Sequence, residues 1–70
     1  MPAVIIRLLD ALANVIGLSV DSRQRATLVR QAEMIMRGAE EEVREPNDLA
    51  DIRARFERLT QIASALDEAG

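Results

Sequence analysis

The sequence predicts an all-α, three-helix domain, in which a short apolar helix precedes a long antiparallel helical hairpin. Three observations carry this expectation. Apolar residues recur at steps of three and four over most of the chain. Residues that cap or break helices stand where those runs should begin and end. No stretch alternates apolar and polar residues as a half-buried strand must. The one β candidate, Val4-Ile5-Ile6, belongs to an apolar run far longer than a strand. Seventy residues allow a single domain, 1–70.

The first helix is expected over residues 3–16. Pro2 suits its start, where a missing N–H costs nothing. Gly17 suits the position just past its end, where a left-handed backbone is wanted. The polar residues Arg7, Asp10 and Asn14 form one narrow stripe on this helix, and most of its remaining circumference is apolar. A helix on the outside of a bundle needs an apolar stripe only a little over about 100° wide. This one is therefore expected to lie between other helices or to face a partner.

The second helix is expected over residues 22–45. Asp21 is its N-cap, with Gln24 placed for a capping box. Arg44 would lie in the last turn, favourable to the helix dipole, and Pro46 would stop the helix. Val29, Ala32, Met36, Ala39 and Val43 form a seam at steps of three and four, widened by Leu28 and Ile35. Gly38 interrupts good helix formers at a cost of about 1 kcal/mol against Ala. Close approach of a neighbouring helix is the expected reason, ahead of a kink.

The third helix is expected over residues 48–67, capped by Asn47 or Asp48, with Asp48 and Asp51 in its first turn. Leu49, Ile52, Phe56, Leu59, Ala63 and Leu66 form its seam. Two seamed helices joined by a short Pro-containing turn make an αα-hairpin.

Expected lengths of about 21, 36 and 30 Å follow at about 1.5 Å per residue. One short helix then cannot cover the groove of a longer hairpin, and one hairpin cannot surround the first helix. A chain of this size is also marginal by itself. The expected remedy is a homo-oligomer, with a two-fold dimer favoured over a larger protein partner. The residues expected at the core or interface are Ile5, Leu8, Leu9, Leu12 and Ile16, meeting Ile35, Phe56 and Leu59. Met34 stands opposite the seam of the second helix, between Arg30 and Arg37, and marks a possible second contact. Leu9→Asp or Leu12→Asp is expected to break both association and folding.

Composition excludes several chemistries. The chain has no His, Cys, Trp or Tyr, and every basic residue is Arg. A disulfide framework, a Cys or Cys/His zinc site and any His- or Cys-based triad are ruled out. No base stands evidently beside Ser19, Ser22, Thr27, Thr60 or Ser64, and Ser19 and Ser22 fall where helix caps are expected. Glu40, Glu41, Glu42 and Glu45 cluster near the turn, but their spacing is neither an EF-hand loop nor a di-iron pattern. The expectation is a noncatalytic chain with no metal and no cofactor.

Arg23, Arg30, Arg37 and Arg44 repeat every seven residues, which could suit a phosphate backbone. Glu33 stands four residues before Arg37, Glu40 four before Arg44 and Asp51 four before Arg55, so a solvated face laced with ion pairs is the better reading. A net charge of -3 and the lack of an aromatic platform also disfavour nucleic acid. No secretory signal is legible, because the apolar stretch from Ala3 to Leu18 lacks a basic n-region and a small-residue cleavage site. The stretch is also too short and too charged for a membrane span, since Arg7, Asp10 and Asn14 interrupt it. Contact with a membrane surface is not expected. A cytoplasmic protein with the residue usage of a GC-rich bacterial genome is the expectation. The leading function is a noncatalytic helical interaction or oligomerisation module. The alternatives are a small acidic regulator that binds another macromolecule, and a helical-hairpin dimer on nucleic acid.

One resemblance bears on the hairpin. Arg30-Gln31-Ala32 lies within the helix running from Leu28 to Glu41. The turn Glu45-Pro46-Asn47-Asp48 and the helix start Asp51-Ile52-Arg53-Ala54-Arg55-Phe56 follow it. Together these words cover about half the chain. They resemble the C-terminal cytoplasmic segment of a family of bacterial predicted membrane proteins of unknown function. The resemblance implies a cytoplasmic helical module attached to, or working beside, something larger. The membrane spans of that family are absent here, and the resemblance carries over no activity, cofactor or functional residue.

Overall fold

The computed structural model describes residues 2–19 and 21–69. They form three helices: α1 (Pro2–Leu18), α2 (Ser22–Glu42) and α3 (Pro46–Ala69). The helices pack pairwise into an elongated bundle of 38 × 16 × 15 Å, with α1 lying chiefly against α3.

The seams do what their spacing predicts. Ala32, Met36 and Ala39 of α2 meet Ile52, Leu59 and Ala63 of α3, and both sets meet Leu9, Ala13 and Ile16 of α1. Leu9, Ile16, Ile52 and Leu59 are fully buried. Ile5, Leu12, Ile35 and Phe56 are half-buried around this core, as are Leu28, Val29, Val43, Leu49 and Leu66. Each fully buried Leu or Ile side chain contributes about 1.5–3 kcal/mol over leaving it in water. The first helix and the hairpin thus bury one another within a single chain.

The helix ends differ from expectation, and each difference has a local cause. α1 runs on through Gly17, and no described glycine has a positive φ. Ser19 takes the capping role, donating both its backbone N–H (3.2 Å) and its Oγ–H (2.8 Å) to the Ile16 carbonyl. At the start of α2, Asp21 is extended (φ -109, ψ 123) and its carboxylate accepts from the Arg23 N–H at 2.9 Å. The N-cap is therefore as expected, while Gln24 is exposed and among the described residues makes no return bond.

α2 stops at Glu42, three residues early. Val43 turns extended (φ -84, ψ 119), its N–H still bonded to the Ala39 carbonyl, and its side chain packs on the core. Arg44 consequently lies beyond the last turn. Pro46 opens α3 instead of merely closing α2. Its fixed φ suits the first helical position, and the Glu45 carbonyl accepts the Leu49 N–H at 3.0 Å. Neither Asn47 nor Asp48 is the cap, and of the acidic pair only Asp48 falls in the first turn.

The three helices have 17, 21 and 24 residues. They are about 26, 32 and 36 Å long, so α1 is longer and α2 shorter than expected and the hairpin groove is better covered. Gly38 is also corrected. Nothing lies within 4 Å of where its Cβ would be, so no neighbouring helix approaches it.

Candidate interaction surface

α1 has two apolar faces, and the hairpin covers one. Leu9, Ala13 and Ile16 turn inward, with Ile5, Ile6 and Leu12 at the margin. The opposite face carries Val4, Leu8, Ala11, Val15 and Leu18, at steps of four, three, four and three. That is a second complete a/d row. Its large members are exposed: Val4 62%, Leu8 46%, Val15 44% and Leu18 85%. Ala11, at the middle, is exposed too. Arg7 and Asn14 border the row on one side, and Ile5 and Leu12 on the other.

This placement divides the residues expected at a core or interface. Ile5, Leu9, Leu12, Ile16, Ile35, Phe56 and Leu59 belong to the internal core or its margin. Leu8, expected with them at the core or an interface, points outward and is not part of the internal core. α1 is rotated so that Asp10 comes within 3.9 Å of Arg55 on α3, and the same rotation turns the side of Leu8 to solvent. Val4, Ala11, Val15 and Leu18 were not singled out from the sequence, although their spacing was there to be read. Met34 is 71% exposed on α2, in a shallow depression with Arg30, Glu33 and Arg37, and stands apart from the α1 row.

The charges are arranged between helices more than along them. Among the described residues, Glu33–Arg37, Glu40–Arg44 and Asp51–Arg55 form no ion pairs. Glu40 accepts from Arg53 across the hairpin at 3.2 Å, and Asp10 approaches Arg55. Both pairs are open to water and contribute little. Arg25 is different, being the one buried charged residue among those described. Its Nε donates to Asp67 Oδ1 at 2.8 Å, its Nη2 lies 2.8 Å from the same oxygen, and its Nη1 donates to the Ser19 carbonyl at 3.1 Å. One side chain thereby ties the end of α1, the start of α2 and the end of α3.

The remaining chemistry is sparse. The hydroxyls of Ser19, Thr27 and Thr60 donate to the carbonyls of Ile16, Arg23 and Glu57. Glu41, Glu42 and Glu45 are exposed, and no group of three or more carboxylates among the described residues could hold a metal ion. An open groove of about 370 Å³ lies between α2 and α3, with Met36 and Phe56 among charged residues of both signs. No described helix is long and apolar enough to cross a membrane. Comparison with known proteins returned no matching family model, no similar curated protein and no similar solved structure.

Proposed function

We propose that this protein is a noncatalytic helical interaction module that docks through the outward face of α1 onto an apolar surface of another protein chain. The observation that carries the reading is the second a/d row. A helix needs one apolar stripe to join its own bundle, and α1 has a second, uncovered one. The largest contiguous apolar patch on a monomeric domain, of about 300–600 Å², is often its functional surface. The hairpin then has a scaffolding role: it holds α1 rigid and straight, so that the row is presented in register. The setting proposed is the bacterial cytoplasm.

The test separates docking from folding. Val15→Glu and Leu18→Glu alter exposed positions, so the helix content of the isolated chain should stay unchanged. Association should fall sharply in both variants. Sizing with light scattering reads self-association, and a side-by-side pull-down with wild-type and variant baits reads other partners. Assembly size and recovered proteins that are the same for wild type and both variants would refute the reading.

A further inference from the structure

Resting on the interaction-module reading, we infer that the occupant of the α1 face is a second copy of the chain, paired antiparallel about a two-fold axis that crosses Ala11. Three features of the row point to self-recognition. The first is its near mirror symmetry along the helix. Val4 and Leu18 lie seven residues to either side of Ala11, and Leu8 and Val15 lie three and four residues away. An antiparallel copy therefore sets Val4 on the partner's Leu18 and Leu8 beside the partner's Val15. Each contact joins a smaller side chain to a larger one, and Ala11 meets the partner's Ala11 at the centre. The smallest residue thus stands where the two axes come closest, as close helix packing requires. An isologous interface needs such a self-complementary patch.

The second feature is the pair of flanks. An antiparallel two-fold pairing brings like flank to like flank. Leu12, half-buried and apolar, then stands beside the partner's Leu12, and Ile5, half-buried too, lies against the partner's last turn near the partner's Gly17. Arg7 faces the partner's Asn14, and the two Arg7 side chains are held apart along the axis. A parallel pairing would set the Arg7 side of one helix against the Leu12 side of the other, leaving a charge beside apolar surface.

The third feature is area. Val4, Leu8, Val15 and Leu18 together expose roughly 400 Å² of apolar surface, the scale of the largest and often functional patch on a domain. Two copies bury up to about twice that from these residues alone. Ala11, Ile5, Leu12 and the stem of Arg7 bring the total to roughly 1,000 Å², the threshold for a specific interface. Each chain contributes about a tenth of its 5006 Å² surface, the usual share for a small protein.

Cysteine cross-linking tests the copy and the register together, because the chain has no cysteine of its own. Under mild oxidation, Ala11→Cys should form a covalent dimer in high yield. Val4→Cys and Leu18→Cys, mixed, should cross-link to each other and barely to themselves. Gln61→Cys, exposed on α3, reports chance collisions and should stay monomeric. Adding Leu8→Arg to Ala11→Cys should abolish the dimer. Efficient self-linking of Val4→Cys alone would overturn the antiparallel pairing. Monomeric wild type at all concentrations, with Ala11→Cys no better than Gln61→Cys, would overturn the second copy. In that last case a bait whose partner is lost with Val15→Glu leaves the interaction-module reading standing, and a bait indifferent to Val15→Glu removes it as well.

Discussion

Replacing Asp67 by Ala removes both acceptor contacts of a guanidinium that is otherwise shut away from water. Breaking a buried ion pair from one side costs about 3–5 kcal/mol, and breaking an exposed one costs under about 1 kcal/mol. This pair lies between those limits, because the Arg25 side chain is 8% exposed and that of Asp67 is 53% exposed. Asp67→Ala should therefore cost about 2 kcal/mol, leaving Arg25 with only its bond to the Ser19 carbonyl. Arg25→Met should cost less, about 1 kcal/mol. It substitutes an apolar chain of similar reach and leaves Asp67 free to hydrate. For a domain of this size the melting midpoint should fall by about 8–16 °C for Asp67→Ala and by roughly half that for Arg25→Met. Thermal and urea melts followed by far-UV circular dichroism read the difference. Both are best made on the Val15→Glu background, where association does not shift the midpoint. An Arg25→Met variant as damaged as Asp67→Ala, or more so, would refute the reasoning. It would mean that packing and the Ser19 contact, and not the ion pair, hold that end of the bundle.

Other outcomes follow from burial and open space. Gly38→Ala should stabilise the chain by up to about 1 kcal/mol, raising the melting midpoint by about 4–8 °C, since helix propensity improves and nothing occupies the added volume. A lowered midpoint would show that a neighbour meets Gly38 in solution. Leu9→Ala and Leu8→Ala, adjacent in sequence, should separate folding from docking. The first should cost about 2–5 kcal/mol through a core cavity. The second should cost well under 1 kcal/mol in the dissociated chain while weakening association; equal losses in urea melts of the two would contradict the facing of α1.

The hairpin was legible because steps of three and four are a property of helix geometry, independent of what the helix meets. Every residue assigned to the α2 and α3 seams lies in the core or at its margin. Arg25 was legible by the same rule and was passed over because it is charged. It lies four residues before Val29, on the seam itself, and Asp67 lies four beyond Ala63. A charged residue at a seam position should prompt a search for its partner at the matching end of the facing helix. The helix ends were less legible, because several residues compete for one capping task. Ser19 took the role that Gly17 suited, and the turn formed at residues 43–45 instead of at Pro46 and Asn47. The cross-helix pairs Glu40–Arg53 and Asp10–Arg55 depend on the register between helices, which no spacing within one helix encodes. The facing of α1 was ambiguous for a related reason. With apolar residues nearly all round, its pattern permits several rotations, and only the packed hairpin selects one.

The dominance of α1–α3 packing over α1–α2 packing has a bearing on synthesis. The ribosome delivers α1 first, α2 next and the helix that shelters α1 most fully last. Between Leu18 and the buried stretch from Ile52 to Ala63 lie several seconds of translation at about 5–20 residues per second. Any part of α1 that has left the ribosome before α3 has formed carries both apolar rows unshielded, and α2 alone offers it only partial cover. Self-contact between nascent chains on a polysome would engage the same residues that later divide into inside and outside.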